Sequence, residues 1–221
     1  MKYFEQQPEE CGSAEARPVD QRILRLVRGR NDWPRRAPEG ETVRRIAVVD
    51  SETSGLAVER HQIIELCVAI VLVNDAGRIV AVEAVRSGLI DPGHPLTAEI
   101  AELTGLTDQD LAERSIDEEQ VAEMLAACHG VIAYNAGFDR PFVEKMMGRH
   151  VAVPWGCAMA DVPWRKLGYE TGPQGYLLNQ SGFYMPSAHR AKDDVLALIQ
   201  LLDHVCDDGE TIIAKTLAAM D

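Results

Sequence analysis

The stretch that most constrains this chain is residues 46–56, an apolar run that ends in two carboxylates. Ile46, Ala47, Val48 and Val49 have the β-branched pattern of a buried central strand. Asp50 and Glu52 follow, one residue apart. Side chains at i and i+2 of a strand point to the same face, so both acids leave the strand on one side. Like charges so placed repel, and burying them without partners is costly. The usual remedy is a divalent cation. Thr53, Ser54 and Gly55 then form a tight turn that lets backbone come close to a ligand.

The rest of the chain builds around that strand. Residues 62–73 are a second long apolar run, and Asn74 to Gly77 is a hairpin turn signal leading to a third strand over 78–85. A three-stranded meander is expected. Helices are expected near 97–103, again from about 105–108, and from a Ser115–Glu118 capping box to Ala127. A fourth strand is expected over 130–134, a helix over 139–147, and a fifth strand over 155–159. Three helices, 174–180, 189–205 and 210–220, complete the chain. Strands first, then alternating helix and strand, give the α/β class with one mixed sheet covered by helices.

Residues 1–18 are polar and read as poorly ordered. Asp20 is placed to cap a short helix, residues 21–28, with Ile23, Leu24 and Val27 on one face and Gly29 ending it. Arg22, Arg25, Arg28, Arg30, Arg35 and Arg36 make the segment basic. A docked amphipathic helix with exposed arginines is the plain reading; an arm contacting phosphates or a partner is the sharper one. Pro34, Pro38 and Gly40 mark a linker, dividing the chain into a 1–44 extension and a 45–221 domain.

The net charge of −13 argues against non-specific, high-affinity duplex binding. No apolar run approaches the length of a membrane span. Five scattered cysteines without a CxxC pair argue against a zinc site and a disulfide framework, which fits a reducing cytoplasm.

Two further stretches carry chemistry. Tyr134 to Asp139 links the fourth strand to a helix, and places Asp139 in the first helical turn at the carboxyl edge of the sheet, where α/β proteins bind ligands. His189 to Asp194 opens a late helix. Asp194 shares a helical stripe with Ala191, Leu198 and Leu201 and faces inward; Asp193 shares one with Arg190, Ala197, Gln200 and His204 and is expected to face water. His189 lies about 140° from Asp194 on an ideal helix. Both reach one site only if His189 sits in the entering loop, which Ser181, Gly182 and Met185 to Ala188 support. Four acids from three segments, without thiols, select Mg²⁺ or Mn²⁺. Two such ions activate a water and stabilise the leaving oxygen of a phosphodiester, and a nearby histidine suits the role of general base. Glu65 reads as a further buried acid near the site. His61, His94, His129, His150 and His204 read as structural or surface residues, and Trp33, Trp155 and Trp164 as packing groups.

These motifs resemble those of the DEDDh 3′–5′ exonucleases, the proofreading, epsilon-subunit-like enzymes of the ribonuclease-H-like fold. The Asp-x-Glu-Thr-x-Gly motif reads Asp50 to Gly55, the supporting Ile-Ile-Glu-Leu is Ile63 to Leu66, Asn-Ala-x-Phe-Asp is Asn135 to Asp139, and His-x-x-x-x-Asp is His189 to Asp194. The tyrosine variant of the family requires Tyr where Arg190 stands, so the histidine class is indicated. Ser51 and Ser54 replace the usual threonines but keep the hydroxyl; Thr104 stands where some relatives carry a histidine.

The resemblance implies a five-stranded mixed sheet and 3′–5′ cleavage of single strands to nucleoside 5′-monophosphates, with DNA ahead of RNA. It also implies two Mg²⁺ or Mn²⁺ ions. Asp50 would bridge the metals, Glu52 and Asp194 would complete the first, Asp139 would act through water, and His189 would deprotonate the nucleophile. Thr53, Ser54, Gly55, Leu56, Asn135 and Phe138 would form the substrate-binding group: backbone near Thr53 holds the terminal nucleotide, Leu56 wedges beside its base, and Asn135 supports the ligands. Two alternatives stand beside it: an oligoribonuclease-like enzyme acting on RNA, and a subunit docked on a DNA polymerase.

Overall fold

The computed structural model describes residues 23–170, 172–186 and 189–220. The expectations for residues 1–18, for a cap at Asp20 and for a loop through Ser187 and Ala188 lie outside the described residues.

A short strand, β1 (Arg25–Leu26), precedes the long β2 (Val43–Thr53), β3 (Ile63–Asn74) and β4 (Ile79–Leu89). Helices α1 (Ala98–Thr104), α2 (Asp108–Leu111) and α3 (Glu118–Ala126) lead to β5 (Gly130–Ala133) and α4 (Ala136–Met146). Then come β6 (Trp155–Cys157), α5 (Ala158–Asp161), α6 (Gln174–Gln180), a two-residue strand β7 (Phe183–Tyr184), α7 (Ala191–Leu202) and α8 (Ile212–Ala218).

The main sheet has the order β4-β3-β2-β5-β6. The first three strands are an antiparallel meander, while β5 runs parallel to β2 and β6 parallel to β5. This is the mixed five-stranded sheet of the ribonuclease-H-like class. β2 lies at its centre because Ile46 to Val49 are apolar on both faces, which suits a strand covered on both sides.

Alternation along β2 divides the core. Ile46 and Val48 pack with Cys67, Ala69 and Val71 of β3 against α7 and α8. Ala47 and Val49 pack with Val68 and Ile70 against Phe142 and Val143 of α4 and Leu125 of α3. Helix α7 is buried nearly all round, from Val195 to Leu202. Among the described residues no helix is long and apolar enough to cross a membrane.

Several expected elements differ from those observed. Residues 23–28 are not helical. Arg25 and Leu26 pair in parallel with Phe183 and Tyr184, and Gly29 opens a short 3-10 turn over Arg30–Asp32 instead of closing a helix. The segment is held to the domain by long-range contacts. Arg28 donates to Gln200 Oε1 (2.9 Å) and Asp203 Oδ2 (2.7 Å), its guanidinium stacks on Trp33, and Trp33 enters the core. Those contacts also overturn the water-facing stripe of α7: Ala197 and Gln200 are buried.

Helix α3 is capped by Asp117, whose carboxylate accepts the Gln120 N–H, and not by Ser115. The fifth strand stops at Cys157. There the Asp161 carboxylate accepts the Cys157 N–H (2.6 Å), and the chain turns into α5. Helix α4 begins three residues before the expected start, with Phe138 and Asp139 N–H bonding to the Asn135 carbonyl. Helix α7 begins at Ala191, leaving His189 and Arg190 in the entering loop.

Candidate active site

The site forms at the carboxyl end of β2, where α4 and α7 present their amino ends. Strand alternation decides which acid meets which. Asp50 and Glu52 continue the Ile46–Val48 face, toward α7. One carboxylate oxygen each from Asp50, Glu52 and Asp194 lies within 4.8 Å of the others. Ser51 continues the opposite face, toward α4. There the Asp139 Oδ1 accepts both the Ser51 N–H (3.1 Å) and its hydroxyl (2.7 Å). Asp139 therefore stands beside the three-carboxylate group, tied to the backbone between two of its members.

The electrostatics follow from this crowding. Burial raises the Asp50 carboxyl well above its ordinary range, and the charges of Asp139, Asp194, Glu52 and Glu65 push it further. Glu52 is raised to about 8 by burial and by Asp194 and Glu65. Asp139 is raised to about 6 by burial, against the two Ser51 hydrogen bonds. Asp194 is raised by burial, opposed by hydrogen bonds from the His189 and Arg190 amides and by the nearby His189. A cluster whose members each favour the protonated form lacks positive charge. An all-oxygen donor set of this kind fits a hard divalent cation.

Asp194 reaches back over the first turn of α7: its Oδ2 accepts the N–H of His189 (2.9 Å) and of Arg190 (3.2 Å). Gln174 of α6 donates to the Asp194 carbonyl (2.9 Å). His189 itself is exposed and has φ +65°, which is uncommon for a residue with a side chain.

Of the expected substrate-binding group, Leu56 is 84% exposed. Thr53 and Ser54 are buried. The Thr53 hydroxyl donates to the Gly55 carbonyl (2.8 Å), and the Ser54 hydroxyl accepts the Gln62 N–H (3.2 Å). A Cβ on Gly55 would lie 2.6 Å from the His61 ring, so glycine allows that ring to pack on the turn. Asn135 and Phe138 are partly buried, Phe138 against the Phe142 ring. Thr104 is buried and serves its own helix, donating to the Ile100 carbonyl.

Sequence reasoning missed several supports. Ser51 holds Asp139. His94 Nε2 lies 3.3 Å from the Ser54 hydroxyl and 3.2 Å from Gln62 Oε1. Lys145, in the last turn of α4, donates to the Val58 and His61 carbonyls and anchors the 55–62 loop. Glu65 is buried near the site as the sequence leads one to expect, 3% exposed, and what was missed there is its partner, Arg190. For Ser51 and Glu65 a signal was present, since strand parity assigns each to a face.

The exonuclease family model RNase_T matches residues 47–202. A 105-residue segment is 32% identical to DNA polymerase III PolC-type of Streptococcus agalactiae serotype III, covering 47% of this chain and 7% of that protein. A 100-residue segment is 38% identical to the Listeria innocua serovar 6a protein of the same name, covering 44% of this chain and 6% of that protein. The matches thus span less than a tenth of these relatives' lengths. Among solved structures, Exonuclease X in complex with 5′ overhanging duplex DNA shares the fold at TM-score 0.58 and 20% identity, over 80% of this chain and 99% of that one. E. coli Exonuclease I in complex with a dT13 oligonucleotide shares it at TM-score 0.60 and 14% identity, over 73% and 41%.

Proposed function

The chain belongs to the DEDDh-type 3′–5′ exonuclease family, and from that premise we propose that it removes nucleoside 5′-monophosphates from the 3′ ends of single-stranded DNA. The observation that carries the reading is the convergence of Asp50, Glu52 and Asp194 at the end of β2, within the segment matched by the family. The solved relatives bound to dT13 and to overhanging DNA favour DNA as the substrate.

Two divalent ions, Mg²⁺ or Mn²⁺, would when bound polarise the scissile phosphate and lower the pKa of the attacking water. Asp50, Glu52 and Asp194 would hold the ions, and Asp139, beside them, would act at the site's edge through water. Protonation of these acids competes with ion binding, so their raised affinity for protons makes activity rise with pH. His189, exposed at the rim, takes the proton from the attacking water and is the general base. The backbone of the Thr53–Gly55 turn holds the terminal nucleotide, Leu56 lies beside its base, and Asn135 and Phe138 line the α4 side. Residues 45–221 carry the candidate site and form the hydrolytic unit, residues 1–44 are an extension that packs on it through Arg28 and Trp33 and leads into β2, and the setting is the cytoplasm.

End-labelled DNA and RNA oligonucleotides incubated with Mg²⁺ or Mn²⁺ test this reading. The expected result is stepwise shortening from the 3′ end, faster for DNA, abolished in Asp50→Ala and slowed about 100-fold or more in His189→Ala. Undiminished products from either variant would sink the mechanism. The PolC-type relatives favour a second reading, a proofreading unit docked on a polymerase. Co-purification with a DNA polymerase that depends on residues 1–45 would support it.

A further inference from the structure

We propose that the Glu65–Arg190 ion pair is a positioning device for His189, locking the loop on which the general base stands. The proposal rests on the reading of His189 given above. Glu65 lies on β3 directly across from Glu52, and the two strands put both side chains on the α7 face. Like charges directly opposite on paired strands repel. Arg190 resolves the conflict: its Nε and Nη2 donate to the two Glu65 oxygens at 2.9 and 3.1 Å, a bidentate fork. The Ala191 N–H donates to the same carboxylate (3.2 Å).

The consequence falls on His189. The N–H groups of residues 189, 190 and 191 all end on carboxylates: the first two on Asp194, the third on Glu65. A left-handed backbone at a residue with a side chain persists only where its surroundings over-determine it. The Asp194 carboxylate ties the loop to its own helix. Glu65, through Arg190 and Ala191, ties it to the sheet that carries Asp50 and Glu52. The imidazole and the metal-binding acids are thereby held in one frame. Neutralising Glu65 could be the whole purpose of Arg190. In that case the effect of the pair would be independent of His189, and this is the distinction to test.

The test compares Glu65→Gln and Arg190→Gln in the wild-type and His189→Ala backgrounds, on labelled single-stranded DNA with Mg²⁺. Wild-type hydrolysis decides the reading of the site. Each single variant is expected to lower kcat by about 100-fold, with KM within about threefold, as for a misplaced catalytic group. Arg190→Lys is expected to recover little, since an ammonium lacks the fork. In the His189→Ala background the same changes are expected to lower residual kcat less than about twofold, because effects that act through one group do not add. Equal losses in both backgrounds would overturn the proposal. Hydrogen exchange on the full chain without metal or substrate is an independent readout. Amides 189–191 of Arg190→Gln should exchange about tenfold faster or more, while amides of β2 keep their wild-type rates. Unchanged exchange at 189–191 would also overturn it, whether or not the protein proves to be a nuclease.

Discussion

Asp139 and Asp194 are both acids in the first turns of helices, beside the same pair of strand carboxylates, and they are held in opposite ways. Asp139 is 4% exposed and bonds to the backbone and hydroxyl of Ser51, near the carboxyl end of the central strand. Asp194 is partly exposed and bonds to the amides of its own entering loop, with the exposed, left-handed His189 among them. The sheet side of the site is fixed by strand pairing and burial. The loop side is fixed by carboxylate hydrogen bonds and one ion pair. Changes on the sheet side should therefore alter charge and stability together, and changes on the loop side should alter turnover while leaving the fold intact.

The largest expected effect is at Asp50. Asp50→Asn should lower kcat by at least about 1,000-fold, because on the proposed reading this carboxylate would hold the ions that offset the transition-state charge. The same change removes a charge that its neighbours oppose, so the metal-free protein should become more stable. Calorimetry in EDTA checks the second half, and a lower Tm would contradict it. On the loop side, His189→Ala should cost about 100-fold or more in kcat, the range for a general base, and leave Tm within about 1 °C. A large drop in Tm would mean that the loop is part of the core after all.

The titration of the cluster sharpens the contrast. Glu52, raised to about 8, and Asp139, raised to about 6, hold protons in the folded chain that the unfolded chain releases near pH 4. With folded values above unfolded ones, the penalty is absent below about pH 4, grows as pH rises, and is complete above about pH 8. A tenfold difference in proton affinity between the folded and unfolded chain corresponds to ~1.4 kcal/mol. The metal-free protein should thus lose stability between pH 5 and pH 8, and Mg²⁺ or Mn²⁺ should restore it at pH 8. Thermal melts in EDTA at pH 5, 6.5 and 8, repeated with each ion, measure this; a Tm independent of pH in EDTA would mean that the cluster carries no such penalty. Asp91 and Asp110, lowered by hydrogen bonds, contribute in the opposite window, losing their effect only as pH falls below about 4.

What was legible in the chain follows the same division. The period-2 pattern of β2 is local, and it places Asp50 and Glu52 on one face without any knowledge of the fold. The Asn74–Gly77 turn and α6 were equally local signals. The errors came where a distant segment decides. Residues 23–28 have a helical pattern of apolar residues, yet their backbone pairs with Phe183 and Tyr184, which no local pattern announces. The face of α7 bearing Ala197 and Gln200 looked like a solvent face because its cover, Arg28 with Trp33, arrives from the other end of the chain. Glu65 lies between these cases. Its parity with Glu52 was readable, and a lone acid in an apolar run needs a cation, but the partner that supplies it is 125 residues away.

The smallest effect should come from Leu56, and it tests how far the rigid side extends. The turn beyond Glu52 is anchored beneath by Ser54, His61, His94 and Lys145, yet Leu56 projects from it 84% exposed. An exposed leucine adds little to folding, so Leu56→Ala should change stability by no more than about 0.5 kcal/mol. If its side chain packs on the terminal base, KM for single-stranded DNA should rise about three- to tenfold while kcat stays near wild type. Gly55→Ala is the paired control. Its new Cβ would lie 2.6 Å from the His61 ring, so the ring and the anchored turn must shift. That variant should raise KM and lower Tm together. If Leu56→Ala lowers Tm as well, the leucine belongs to the scaffold and not to the substrate face, and the rigid side of the site extends to the tip of its turn.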